Sequence, residues 1–251
     1  MSKVLLITGG ASGIGAETAR RAASRGYSIA INYRTRDSEA RKVVADAVAK
    51  GAKAIAIKAD MASEADIVKM FEQTTKELGA VTHVLNSAGI SKQMRVDEYD
   101  AKVLADLFAT NVTGLMICCR EAAKRMSTRH GGKGGAIVNV SSMAGTLGGR
   151  PGSSAYAATK GAVDSFTKGF AREVADEGIR VNSLRPGMVL TEMTEGRLKD
   201  PDFKKGIEAS IPMRRVGASK EIADAALWLL SDEASFITGT MLDAAGGGYR
   251  I

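Results

Sequence analysis

Val4-Leu5-Leu6-Ile7-Thr8-Gly9-Gly10-Ala11-Ser12-Gly13-Ile14-Gly15 is an apolar run that breaks into a glycine-rich turn. Residues 16–25 follow with helical patterning, so the order is strand, glycine turn, helix. Glycines let the chain turn tightly and let a pyrophosphate approach the backbone. The helix start then offers free N–H groups and the positive end of its dipole. Gly9, Gly13 and Gly15 are spaced G-x-x-x-G-x-G rather than G-x-G-x-x-G, and the glycines alone are equally compatible with a plain structural turn. Their position between the first strand and the first helix favours dinucleotide binding.

Outward from this turn, apolar β-branched runs recur near 3–8, 28–33, 53–58, 81–86, 135–140, 179–184 and 239–243. Helix-length segments separate the first six. Strands joined in this way are parallel, with right-handed crossovers. Ser63 with Asp66 resembles a capping box, and Gly51 and Gly79 stand where helices stop. Ser219 and Glu221 open a later helix with the apolar stripe Ile222, Ala225, Ala226, Leu229 and Leu230. The expected fold class is α/β: a doubly wound (Rossmann) parallel sheet of about seven strands with helices on both faces. No linker, repeat or low-complexity tract divides the 251 residues, so 1–251 reads as a single domain.

The chain is 45% hydrophobic and 25% charged, ordinary values for a soluble globular protein. Its net charge of +7 is spread through the helices and aromatics are only 5%, which argues against a nucleic-acid partner. Such a surface is a solvated one with a mild attraction for anionic cofactors or substrates. The run at 4–7 is too short for a signal-peptide core, and no segment approaches the ~18 apolar residues of a membrane span. Cys118 and Cys119 are adjacent and cannot form an ordinary disulfide. Together these features predict a cytoplasmic protein with no membrane partner.

In a sheet of this kind ligands bind beyond the carboxyl ends of the strands. The predicted exits are Thr8–Gly15, Tyr33–Arg36, Asp60–Met61, Asn86–Gly89, Ser141–Ser142 and Arg185–Thr191. The second exit bears on cofactor choice, because an acidic side chain there would bond a ribose 2′-hydroxyl and repel a 2′-phosphate. Here the sequence is Asn32-Tyr33-Arg34-Thr35-Arg36, with a neutral tyrosine in the place of the acid. A guanidinium pairs with phosphate through two parallel bonds, so NADP(H) is preferred. The alternative is that both arginines face water. NAD(H) stays possible because Ser12, not a second basic residue, precedes Gly13.

Tyr156 and Lys160 stand four apart at the start of a helical run, on one face of it. A free tyrosine has a pKa of about 10 and is a poor acid or base at neutral pH. A nearby ammonium favours the phenolate and brings that value down. The pairing is common by chance, and its company gives it weight. Residues 137–142 bring a hydroxyl, Ser142, to a strand exit, and Asn111 interrupts the apolar face of a long helical segment. A buried amide at that position is compatible both with core packing and with holding a water.

With these stretches in view the chain resembles the short-chain dehydrogenase/reductase family over essentially its whole length. The matching residues are Thr8–Gly15, Asp60, Asn86-Ser87-Ala88-Gly89, Asn111, Ser142, Tyr156-x-x-x-Lys160 and Pro186-Gly187-x-Val189-x-Thr191. Ser87 departs from the family's usual second asparagine, and Ser12 weakens the NADP preference. The resemblance implies an oxidoreductase that moves hydride between nicotinamide and a carbonyl or alcohol. It implies that Tyr156 gives the proton, Lys160 lowers the tyrosine pKa and bonds the nicotinamide ribose, and Ser142 bonds the substrate oxygen. Asn111 would hold a water linking Lys160 to solvent. Gly9, Ser12, Gly13, Ile14 and Gly15 would take the pyrophosphate, and Tyr33, Arg34 and Thr35 the ribose side. Asp60 and Met61 would frame the adenine, and Asn86, Ala88 and Gly89 would line the adenosine side. Pro186, Gly187, Val189 and Thr191 would hold the carboxamide. No metal is required.

Residues 90–96, 143–154 and 188–213 are expected to wall the substrate side, the last as a mobile helical lid. Arg95 and Arg150 either meet an anionic substrate or face solvent. The expected substrate is a small-molecule aldehyde, ketone or alcohol. The resemblance is nearest to glucose-dehydrogenase-like and 3-oxoacyl-carrier-protein-reductase-like members, and the alternative activity is 3-oxoacyl-[acyl-carrier-protein] reduction. A non-enzymatic NADP sensor is disfavoured, since such relatives lack the reacting tyrosine or lysine. Resemblance also implies a homotetramer or dimer, assembled partly through the weakly charged tail 236–251.

Overall fold

The computed structural model describes residues 3–248. Met1, Ser2 and the last three residues of the tail lie outside the described residues. In chain order the strands are β1 (Lys3–Thr8), β2 (Tyr27–Tyr33), β3 (Ala54–Lys58), β4 (His83–Asn86), β5 (Gly135–Val140), β6 (Ile179–Pro186), β7 (Val189–Leu190), β8 (Gly217–Ala218) and β9 (Met241–Ala244). The helices are α1 (Gly13–Ala23), α2 (Asp37–Val48), α3 (Glu64–Leu78), α4 (Ala101–Phe108), α5 (Gly114–Met126), α6 (Ala144–Leu147), α7 (Ser154–Val174), α8 (Glu192–Leu198), α9 (Pro201–Ser210) and α10 (Ser219–Leu230).

Seven strands form one sheet in the order β3-β2-β1-β4-β5-β6-β9, every neighbouring pair parallel. This is the doubly wound α/β sheet expected from the recurring apolar runs. Alternate residues of each strand serve two different cores, because successive side chains point to opposite faces. Leu5 and Ile7 of β1 pack with Ala16, Ala19, Ala22, Val43, Ile222 and Ala226 of α1, α2 and α10. Val4 and Leu6 pack with Ile67, Phe71, Leu115, Cys118, Val163 and Phe170 of α3, α5 and α7. Burial on both faces explains why the strands read as continuous apolar runs instead of alternating ones. The order reverses between β1 and β4, so their carboxyl ends diverge and leave a crevice there.

Several local expectations change in detail. Ser63 caps α3 by accepting from the Asp66 amide at 3.3 Å, but the Asp66 carboxylate does not complete a box. It accepts from the Asp60 amide at 2.9 Å, and so pins a strand exit. Ala218, not Ser219, precedes the first turn of α10, and Glu221 reaches back to the Ala218 amide at 2.8 Å. Ser219 donates to the Leu190 carbonyl at 3.0 Å, tying α10 to β7.

The largest departure is in the middle helix. The sequence offered no membrane-length run, yet α4 and α5 join through a π-helical turn at Ala109–Thr113. The continuous helix Ala101–Met126 is long and apolar enough to cross a membrane, with mean hydropathy 1.4 over eighteen residues. Polar Thr110, Asn111 and Thr113 break the run when it is read along the chain, and folding merges its two halves. Leu115, Cys118, Cys119, Ala122 and Met126 are buried against the sheet, so the α5 half packs in the core. Both cysteines are free, and burial pushes their thiols up, that of Cys119 to about 12.

Candidate active site

The turn after β1 is held from below by side chains of neighbouring strands. Asn32, buried at the end of β2, accepts from the Gly9 amide at 3.2 Å and donates to the Ala59 carbonyl at 2.8 Å. The Thr8 hydroxyl accepts from the Ser87 and Ala88 amides, each at 3.1 Å. Gly9 has φ +65, and a Cβ there would lie 2.8 Å from the Ala88 Cα, so only glycine fits where the two exits meet. Ser12 makes no side-chain cap, and the first turn of α1 carries no acidic residue. The N–H groups of α1 are therefore left to an anion.

The crevice holds two adjoining pockets, of about 660 Å3 and about 410 Å3. Gly9, Ser12, Ala88 and Gly89 line both. Ile14, Pro186, Gly187, Val189 and Thr191 line the larger, with Ser142, Tyr156 and Lys160. Tyr33, Arg34, Thr35, Asp60 and Met61 line the smaller. Asn86, Gly13 and Gly15 are not among the lining residues, although the Gly13 and Gly15 amides belong to the open first turn of α1. Asn86 turns inward, donating to Asn139 Oδ1 at 2.9 Å and to Cys119 Sγ at 3.4 Å between β4 and β5. Gly15 packs under the turn, where a Cβ would meet the Gly9 carbonyl at 2.5 Å, and Gly13 lies against Thr191.

Neither arginine after β2 simply faces water. Arg34 lies 4.0 Å from Asp60, and Arg36 pairs with Glu192 at the start of α8. The Tyr33 hydroxyl donates to Asp37 at 2.5 Å.

Tyr156 and Lys160 occupy the first turns of α7, and the Lys160 Nζ lies 5.7 Å from the centre of the Tyr156 ring. The buried ammonium donates to the Val140 carbonyl at 2.8 Å. Ser142 accepts from the Ala144 amide at 3.1 Å, which aims its own O–H away from the backbone. The expectation that Lys160 lowers the tyrosine pKa is not met in the chain by itself. Burial pushes Tyr156 up to about 12, and a hydrogen bond from Ser142 offsets this only in part. Burial likewise pushes Lys160 down to about 8, with Asp164 pulling weakly the other way. Desolvation wins for both because each charged form loses water and gains few partners.

Asn111 sits in the π-helical turn, buried, with both amide donors engaged. Its Oδ1 accepts from the Ile90 amide at 2.8 Å, and its Nδ2 donates to the Ile90 carbonyl at 2.9 Å and to Thr159 Oγ1 at 3.1 Å. Both amide donors are therefore spent on protein. The side chain locks the β4 exit to α7 one residue before Lys160, and its Oδ1 keeps a second acceptor site. Sequence reading missed Asn32, Asp66 and Thr159. Of these only Asn32 stood at a predicted strand end, a pattern shared with ordinary core amides, while Asp66 and Thr159 lie within helices.

The comparisons agree with this geometry. The family model described as enoyl-(acyl carrier protein) reductase matches residues 9–249. An uncharacterized oxidoreductase of Escherichia coli, YgfF, is 44% identical over 97% of this chain and 99% of its own length. The 3-oxoacyl-[acyl-carrier-protein] reductase FabG of Staphylococcus epidermidis is 35% identical over 99% of this chain and 100% of its own. A short-chain dehydrogenase/reductase from Serratia marcescens superposes with TM-score 0.90 at 31% identity, covering 98% of this chain and 97% of that one. With near-complete coverage in sequence and in structure, the chain belongs to the short-chain dehydrogenase/reductase family of oxidoreductases.

Proposed function

We propose that the protein is an NADP(H)-preferring reductase of aldehydes or ketones, with Tyr156 as the proton donor. The observation that carries this is the convergence of Ser142, Tyr156 and Lys160 in a cleft that runs into the pocket of Tyr33, Arg34 and Thr35. The nicotinamide dinucleotide fits the donor set: free first-turn amides of α1 for its pyrophosphate and guanidiniums for a 2′-phosphate. When bound, it supplies the hydride.

The chain's own residues supply the rest. A tyrosine held near 12 is fully protonated at neutral pH and ready to act as an acid. As charge builds on the carbonyl oxygen, Tyr156 passes its phenolic proton to it, while the Ser142 hydroxyl donates to the same oxygen. Lys160, predominantly charged at neutral pH, then stabilises the phenolate. Val140 fixes the position of its Nζ, and Asn111 with Thr159 fixes the helix that carries it.

A second reading, 3-oxoacyl-[acyl-carrier-protein] reduction, is favoured by the names of relatives such as FabG at 35% identity and a mouse protein at 38%. Asp176 and Glu177 follow the far end of α7, just before β6 begins, so their charge lies away from the cleft and does not separate the two readings. Efficient NADPH oxidation with an acetoacetyl thioester would decide for it. Cytoplasmic location and a homotetramer or dimer belong to the same proposal, and the fully exposed Phe236 before β9, which association would cover, supports the second.

The test combines turnover with binding. Tyr156→Phe will lower aldehyde reduction by roughly 10²–10⁴-fold, the usual worth of a general acid, and leave NADPH binding intact. In fluorescence titrations, NADPH will bind more tightly than NADH, and Arg34→Ala will narrow the gap. Undiminished turnover in Tyr156→Phe would remove the assigned mechanism, and equal cofactor affinities unchanged by Arg34→Ala would remove the NADP preference.

A further inference from the structure

Four arginines line the crevice, and two of them face acids: Arg34 lies 4.0 Å from Asp60 and Arg36 pairs with Glu192. Arg95, one of the two arginines that sequence reading set beside an anionic substrate, pairs with Asp97 and lies in the open. The other two lining arginines are Arg150 and Arg197. Both line the catalytic cleft with Ser142 and Tyr156, and among the described residues neither has an acidic partner. Instead they converge on one ring: the guanidinium carbons lie 5.5 Å and 4.5 Å from the centre of Phe203.

The two come from different walls and both are held. Arg150 lies in the turn between Ser142 and α7, where its carbonyl accepts from Ser153 at 2.8 Å and the neighbouring Gly152 carbonyl accepts from Met94 at 2.9 Å. Arg197 projects from α8, and Phe203 from the capped first turn of α9, where its amide donates to Asp200 at 3.3 Å. An aromatic face attracts a cation, but two cations on one ring in a partly desolvated cleft repel each other. The pKa of Arg197 is lowered, first by burial and then by the Arg150 charge. Glu192, the acid that lines the same cleft, is already taken by Arg36. What the pair lacks is a shared anion.

We propose that Arg150 and Arg197, with Phe203 as their platform, form an anion subsite, so that the carbonyl substrate carries a carboxylate or phosphate group remote from the reacting carbon. This rests on the reductase reading above and names its substrate class. Guanidiniums hold such oxyanions through paired charge-assisted bonds, and a neutral analogue leaves those donors unsatisfied.

The test compares kcat/KM with NADPH for benzaldehyde, para-carboxybenzaldehyde and para-formylphenyl phosphate. It adds calorimetric binding of the matching alcohols to the NADPH-saturated protein. The wild type will favour at least one anionic aldehyde by roughly ten- to a hundredfold, and which anion leads will identify the natural group. In R150Q/R197Q that ratio will fall towards one, and in R150K/R197K much of it will return. Because each ratio is taken within one protein, loss of folded material does not imitate the effect. Equal rates for charged and neutral aldehydes, or a preference that persists in the glutamine variant, overturn the subsite and leave the stack as a clamp on the lid. If no aldehyde is reduced yet the anionic alcohols bind preferentially through the arginines, the reductase reading fails and the subsite stands. If neither turnover nor anion preference is found, both fall.

Discussion

Raising the pH from about 7.5 to about 9.5 will stabilise the protein by roughly 2 kcal/mol more than it stabilises Lys160→Met. Lys160 titrates near 8 when folded, against an ordinary value of 10.5. Between those values the unfolded chain holds more protons than the folded one, so stability rises with pH. Below the window the ammonium is charged in both states and its burial cost is felt in full. Above it the amine is neutral in both and the cost is gone. The full gap, at 1.36 kcal/mol for each tenfold, comes to roughly 3 kcal/mol, and the part spanned by the chosen pH range is roughly 2 kcal/mol. Tyr156 acts in the opposite sense: its folded pKa is raised to about 12 from 10, so it removes stability only as pH climbs through that higher window. The measurement is equilibrium urea unfolding at fixed protein concentration, read from Trp228, the single tryptophan, which packs against the α1/α2/α10 core. A wild-type minus variant difference that stays flat within about 0.5 kcal/mol across the range would refute the desolvated lysine, and with it the account of how the tyrosine is served.

Two further outcomes follow from contacts at the cofactor crevice. Glu192→Gln will release Arg36 and remove a carboxylate that lines both pockets, tightening NADPH roughly two- to fivefold, the worth of an exposed pair; weaker binding in a fluorescence titration would mean that the pair instead holds α8 closed. Gly9→Ala and Gly51→Ala both place a side chain at positive φ, but only at Gly9 does the new Cβ meet backbone, 2.8 Å from Ala88, while at Gly51 nothing lies within 4 Å. Gly51→Ala will cost about 1 kcal/mol and Gly9→Ala about 1–3 kcal/mol more; equal shifts in melting temperature would show that the close approach is not a constraint.

How far the site was legible depended on whether a residue's role is local. Tyr156 and Lys160 share a helix face by their spacing, and the glycine turn declares itself by lying between a strand and a helix. Asn86 and Asn111 were visible as unusual residues, but their partners, Asn139 and Ile90, lie 53 and 21 residues away. Spacing along the chain carries no information about such bonds. The same limit hid Arg197, which reads as one more charge on an amphipathic lid until Phe203 and Arg150 are brought against it.

By itself the sequence determined the class of fold, the order of strands and helices and the crevice where chemistry would sit, because side-chain periodicity and turn residues act over a few positions. It also supplied the candidates for the reacting groups, because a proton donor, a cation and a hydroxyl are recognised by type. Only the tertiary structure decided what those groups are at neutral pH, since desolvation depends on every atom packed around them. It alone decided which amides face the crevice and which brace it, and which arginines are already paired. Those properties belong to the juxtaposition of distant segments, and the linear chain does not encode them position by position.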